Sequence, residues 1–185
     1  MYGNEKGIQA RYLEYITKFT NTTSGIYTRR GIIKFKETPL FGDQVKLILP
    51  ETFCRAEIDC GQASVSEYHL RADISNLDQS VCFTFHLIDY PLKENSVEYV
   101  IEDFERTLKC LNPESTCLGT GSGTGELLPY SWIEFSRITG NKKRYHMLTV
   151  FPVAKRLLLF LFDCPLGEEG DWRQSLSEIN ETVRV

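Results

Sequence analysis

Three histidines and six cysteines are the side chains of this 185-residue chain that could most readily carry chemistry. His69, His86 and His146 all fall in segments whose patterns predict β-strands. A shared metal would require three adjacent strands with these imidazoles on one face. Histidines within strands are more typical of hydrogen-bonded sheet residues, so we predict no metal site and no cofactor.

A nucleophile and a base stand close in sequence at Cys82 and His86. Both would point to one face of a strand, but four residues separate them by roughly 13 Å, which is too far for direct proton transfer. We therefore predict a protein that is not an enzyme and has no catalytic residues. The alternative, a small hydrolase or ligand-binding enzyme, predicts a pocket with shifted pKa values between sheet and helices, lined by at least two of His69, His86, Asp89 and Cys82.

The six cysteines are an even number, which would permit disulfides. Two pairs are spaced too widely for C-x-x-C chemistry, and together they lack the hairpin spacing of a zinc site: Cys54 with Cys60, and Cys110 with Cys117. Cys82 lies inside a predicted strand and Cys164 at the end of another, where a thiol acts as a small buried apolar group. We predict reduced thiols.

Glycines alternate with threonine and serine over residues 119–125. A dinucleotide fingerprint would need glycine where Thr124 stands, and a phosphate-binding loop would need a lysine after the glycines. The run also precedes a strand and not a helix N-terminus, so the helix dipole that binds phosphate is missing. Alternate glycines instead predict a flexible loop or a frayed hairpin.

The net charge of −4 argues against a nucleic-acid partner, because binding phosphates needs clustered Lys and Arg. Two short basic groups, residues 29–30 and 142–144, are interpreted as caps of turns or edge strands on a solvated face. The first ten residues have no apolar core of a secretion signal, and the longest apolar run, 157–162, is too short to span a bilayer. These features predict a cytoplasmic protein without membrane insertion, unless a leader preceded this sequence.

Periodicity places the elements that must position these side chains. Helices are predicted over residues 7–19, 97–108 and from Trp172 onward, with a capping-box start at Asn95 and Glu98. Strands are predicted over residues 26–36, 44–49, 67–74, 80–90, 131–137, 144–150 and 156–162, with a turn at 39–43 and an irregular segment over 51–64.

The run Leu157–Phe162 is apolar at every position, so its strand should lie at the centre of a sheet that is covered on both faces. Short turns between most strands imply antiparallel pairing. We predict an α+β fold, a three-layer α/β/α sandwich on a mostly antiparallel sheet of six or seven strands. Residues 1–25 would be an N-terminal helix and linker, and residues 26–185 a single domain.

The segment Val45–Phe53, a strand followed by Leu-Pro-x-x-Phe, resembles the opening of DcrB-like and PsbP-like domains. The strands at Tyr145–Val150 and Val153–Phe162, with a closing helix that contains Trp172, are similar to how these domains end. The resemblance covers residues 26–185 and implies an α/β/α sandwich. It also implies non-enzymatic roles, such as photosystem subunits, a Ran-binding nuclear transport factor and secretion-associated chaperones, with no catalytic residues to carry over.

These observations lead to one main functional hypothesis and two alternatives. The main one is a non-catalytic, chaperone-like accessory domain, linked to secretion, that binds another protein through a sheet edge or an aromatic-lined surface. The first alternative is the small hydrolase or ligand-binding enzyme described above. The second is a structural subunit of a homo-oligomer that associates through an exposed edge strand.

Overall fold

A fully antiparallel sheet of seven strands forms the centre of the computed structural model, which describes residues 18–55, 69–90 and 96–185. In spatial order the strands are β6 (Cys54–Arg55), β7 (His69–Ser75), β8 (Cys82–Ile88), β12 (Arg156–Pro165), β11 (Lys142–Val153), β10 (Pro129–Thr139) and β9 (Thr116–Thr124). The predicted α+β class and antiparallel sheet are confirmed.

The remaining described elements are two small sheets and two helices. One sheet contains β1 (Thr20–Asn21), β2 (Gly25–Thr28) and β3 (Gly31–Ile33), and the other is a hairpin of β4 (Phe35–Leu40) and β5 (Val45–Pro50). The helices are α1 (Val97–Leu111) and α2 (Arg173–Glu181), and a 3-10 turn (Glu169–Asp171) precedes α2. Both described helices fall short of the length and hydropathy that crossing a bilayer requires.

The predicted central strand is confirmed, because β12 is the fourth of the seven strands. On one face, Leu158, Phe160 and Phe162 are almost fully buried in the main core, together with the β4–β5 hairpin and α2. On the other face, Leu157, Leu159 and Leu161 join a second core beneath α1. Both faces are therefore apolar and packed, although α2 shares its layer with strands. The α/β/α layering stays a prediction.

Several expectations for the N-terminal half are corrected. The predicted strand 26–36 is broken by a hairpin turn at residues 29–30, because Gly31 adopts a φ of +113°, a conformation that favours glycine. The predicted turn at 39–43 begins later, since Pro39 still pairs with Lys46 in the β4–β5 hairpin. The predicted irregular segment 51–64 contains β6, and its residues 56–64 lie outside the described residues.

Two helix predictions fall wholly or partly outside the described residues. The predicted helix 7–19 lies outside them apart from its last two positions. The proposed cap residue Asn95 also lies outside, and the N-cap of α1 is Ser96, whose side chain makes no capping hydrogen bond. The apolar stripe of α1 is confirmed, with Val97, Ile101 and Leu108 buried.

The glycine run was predicted to be a flexible loop or a frayed hairpin, and the loop is wrong: residues 116–124 form the edge strand β9, which pairs with β10 in a hairpin. The strand forms because its glycines make room for aromatic rings of β10. A Cβ atom on Gly121 would lie 2.6 Å from Cζ2 of Trp132, and one on Gly123 would lie 2.6 Å from Cζ of Tyr130. Rings that lie across glycine backbone stabilise an otherwise weak edge strand.

Replacing Gly121 by alanine is therefore expected to destabilise the fold by about 1–3 kcal/mol, because the new methyl group displaces the Trp132 ring. Gly119→Ala is the matched control, since its Cβ would lie 3.7 Å from the same ring, an ordinary contact. We expect that control to stay within about 0.5 kcal/mol of wild type. Urea unfolding measures both, and equal losses would contradict the role assigned to Gly121.

Candidate protein-interaction surface

The structure brings together two of the side chains in the enzymatic alternative. His69 on β7 and His86 on β8 face each other across the strand pair, with Nε2 and Nδ1 2.7 Å apart. Cys82 lies on the same face of β8, four residues away, whereas Asp89 follows the strand and lies 3.7 Å from the guanidinium of Arg156. Both histidines were predicted in strands, but no local pattern predicts their direct contact, because it depends on the β7–β8 register.

Electrostatics do not activate these groups for nucleophilic catalysis. Burial lowers the pKa of His86, and the neighbouring His69 and Arg71 lower it further. Burial raises the pKa of Cys82, helped by the charge of Asp163, so the thiol stays protonated. Its Sγ lies 3.3 Å from the carbonyl oxygen of Gln79 and not beside a base. Among the described residues, no three metal-ligating side chains form a cluster.

The third histidine belongs to a separate charge cluster inside the sheet. His146 is 2% exposed, and its Nδ1 lies 3.0 Å from Oδ2 of Asp163, an electrostatic contact without hydrogen-bond alignment. Arg137 donates to its other ring nitrogen, and Arg144 binds both carboxylate oxygens of Asp163. Burial alone would raise the pKa of Asp163, but the neighbouring His146 and Arg144 outweigh burial and lower it.

The two predicted basic groups do not form a continuous positive surface. Arg30 makes two 2.9 Å hydrogen bonds to the carboxylate of Glu168, and Arg29 pairs with Asp171 at 3.1 Å. Both arginines lie at the β2–β3 turn, as the interpretation of turn caps expected. Arg144 is engaged by Asp163. These ion pairs neutralise much of the local positive charge.

An open groove runs between α1 and the edge strand β9, in two adjoining sections of about 210 and 470 Å³. Glu98, Glu102 and Glu105 line its helix side, with Ile101 between them. Pro129 and Tyr130 line part of the second section, but most residues on the strand side are small: Thr120, Gly121, Ser122, Gly123, Thr124 and Ser131. The side chains of Thr120, Ser122 and Ser131 lie on the face opposite the Trp132 ring, because successive strand residues alternate between faces.

The groove is acidic and contains an unsatisfied hydroxyl group. Glu105 accepts a 2.7 Å hydrogen bond from Lys109, which lowers the pKa of that carboxyl group. Glu98 and Glu102 are exposed, and neither has an ion-pair partner within the described residues. Ser131 is 1% exposed, and its Oγ has no hydrogen-bond partner in the described part of the chain.

Strand β9 is one of the two edge strands of the sheet. In the described part of the chain it pairs with β10 and with nothing on its other side. It has nine residues, none of them charged and none proline. A register irregularity near Cys117 leaves residues 119–124 in regular pairing. Glycine recurs at every second position from residue 119, and the aromatic residues Tyr130 and Trp132 are also two positions apart in the next segment. These two matching patterns were the sequence signal that could have predicted this strand.

Comparisons with known proteins support the fold. No family model and no curated protein matches the chain. The solution structure of cyanobacterial PsbP (CyanoP) from Synechocystis sp. PCC 6803 matches at a TM-score of 0.61 and 10% identity, covering 87% of this chain and 94% of that one. A crystal structure from Bacteroides thetaiotaomicron matches at a TM-score of 0.54 and 10% identity, covering 81% of this chain and 48% of that one. The predicted PsbP-like fold is confirmed.

Proposed function

We propose that this chain is a non-catalytic protein-binding domain that takes up an extended segment of its partner as an additional strand beside β9. The observation that carries the proposal is the uncharged, proline-free edge of residues 119–124, unpaired on its outer side among the described residues. An edge strand presents a row of unpaired N–H and C=O groups, and added strands gain most of their affinity from such main-chain bonds.

The composition of β9 supports this assignment. Soluble proteins usually protect an edge with lysine, proline, a covering loop or a very short strand. Residues 119–124 have no lysine and no proline, and the rings of Trp132 and Tyr130 hold this glycine-rich strand extended. Thr120, Ser122 and Thr124 are exposed toward the groove, where the side chains of an added segment would lie.

A chaperone-like role, a cytoplasmic location and a link to secretion are part of the proposal and come from the family resemblance. The five described cysteines are free, which suits a reducing compartment. Catalysis has less support, because the Cys82 thiol is held protonated. Self-association through β9 also has less support, since antiparallel pairing of two copies would place both rows of α1 glutamates on one side of the joined sheet, where they repel.

The test selects, from a peptide-display library, short peptides that bind the full chain. NMR then maps their binding site on the protein. We expect the largest shifts, and slowed hydrogen exchange, at the amides of Thr120, Ser122 and Thr124, because Gly125 donates to Leu128 and the alternation of the ladder then turns these N–H groups away from β10. N-methylation of alternate peptide residues should abolish binding in one register and leave it in the other, because only every second residue bonds to the edge. Shifts confined to another surface, or equal tolerance of both N-methylated peptides, would contradict strand addition.

A further inference from the structure

We infer that the groove between α1 and β9 binds lysine or arginine side chains of the added segment, so that the partner is a basic extended peptide segment. This inference rests on the proposed function and adds the chemistry of the partner. Glu98, Glu102 and Glu105 lie four and three residues apart on α1, a spacing that puts them on one side of the helix. That side faces the open edge of the sheet.

Two of these carboxylates are available to a ligand. Lys109 already pairs with Glu105, at 2.7 Å. Glu98 and Glu102 are exposed and have no cation beside them among the described residues. Carboxylates accept hydrogen bonds and donate none when ionised, so their complement is a group rich in N–H donors.

The buried hydroxyl of Ser131 is the second, independent sign of a ligand. Ser131 lines both sections of the groove, is 1% exposed, and its Oγ has no hydrogen-bond partner in the described structure. A buried polar group without a partner costs about 1–3 kcal/mol, so such groups are usually satisfied by a ligand or water. An ammonium or guanidinium group is a donor without acceptor atoms, which suits both Ser131 and the carboxylates.

The dimensions of the groove fit alternate basic residues. The Glu105 end of α1 lies beside Thr120, and the Val97 end lies beside Thr124, so the helix runs along the strand. Glu98 and Glu102 are separated by a rise of about 6 Å along the helix. Side chains on one face of an added strand repeat every two residues, or about 6.8 Å. A Lys-x-Lys or Arg-x-Arg pattern therefore places one cation near each glutamate, with its aliphatic stem over Ile101.

The test uses fluorescence anisotropy with two labelled peptides, Thr-Val-Lys-Thr-Lys-Val-Thr-Val and its counterpart with glutamine at both lysine positions. The double variant Glu98→Gln/Glu102→Gln should bind the lysine peptide about tenfold more weakly, with a flatter salt dependence, and the glutamine peptide unchanged. The control Asp103→Asn/Glu114→Gln removes two charges outside the groove lining and should bind both peptides like wild type. Ser131→Ala should weaken binding of the lysine peptide severalfold while the fold remains at least as stable as wild type, because the substitution removes an unsatisfied hydroxyl group.

The outcomes separate this inference from the proposed function. Equal affinities for the two peptides, unaffected by Glu98→Gln/Glu102→Gln, would overturn the basic partner and leave strand addition standing. Equal losses in the groove variant and the control would assign the effect to net charge and overturn the site. Failure of the lysine peptide to bind at millimolar concentration would overturn the inference, while display and NMR mapping test the edge strand independently.

Discussion

Replacing Phe160 by alanine is expected to lower the free energy of unfolding by about 3–5 kcal/mol, because it leaves a large cavity at the centre of the sheet. The Phe160 side chain is 1% exposed and stacks against Phe85 and Phe83, with ring centroids 5.0 and 5.7 Å apart. Equilibrium urea denaturation followed by tryptophan fluorescence measures the loss, since Trp172 lies in the same core.

Leu159→Ala is the matched control, one residue earlier on the same strand. Its side chain faces the second core and is half-buried, so the expected loss is about 1 kcal/mol. A loss at Leu159 equal to that at Phe160 would contradict the assignment of the main core to the Phe160 face of β12.

Asp163→Asn is expected to destabilise the protein by about 3 kcal/mol, because it leaves the guanidinium of Arg144 without its anion in a largely buried site. The side chains of Arg144 and Asp163 are 14% and 20% exposed, and the side chain of His146, on β11 like Arg144, is 3% exposed. Asp103→Asn is the control for an ion pair in solvent, since Asp103 and Arg106 are both 74% exposed. That substitution should cost less than about 1 kcal/mol.

The Asp163 effect should also depend on pH. The pKa of Asp163 is lowered in the folded state, so its stabilisation is complete above the ordinary aspartate pKa of about 3.9 and is lost as the pH falls through the folded value. The difference in unfolding free energy between wild type and Asp163→Asn should therefore shrink as the pH falls below about 4. A difference in unfolding free energy that grows below about pH 4 would contradict a lowered pKa of Asp163 in the folded state.

Elements defined by their own residues were predictable from the sequence. The all-apolar run 157–162 predicted the central strand, and alternation in residues 80–90 predicted β8 with Phe83 and Phe85 buried. The apolar face of α1 was equally predictable from the sequence, since Val97 and Ile101 recur at helical spacing. In each case the local pattern and the tertiary environment favour the same structure.

Elements that depend on distant partners were not predictable in this way. Strand β9 forms because the rings of Trp132 and Tyr130 cover its glycines. The residues of the glycine run alone do not predict this contact. The groove requires α1 to lie over β9, and the contact of His69 with His86 requires the register of β7 against β8. The wrong loop prediction followed from judging Gly121 by its backbone freedom and not by the space that it leaves.

The central position of β12 has a consequence for synthesis on the ribosome. The pairing of β8 with β12 joins Ile88 to Leu157, so β7 and β8 emerge long before the strand that completes their sheet. Until residues 156–165 leave the exit tunnel, one edge of β8 is unpaired, and Phe83 and Phe85 lack their contacts with Phe160. The nascent polypeptide thus passes through a stage in which part of its aromatic core is incomplete until its C-terminal third has been synthesised.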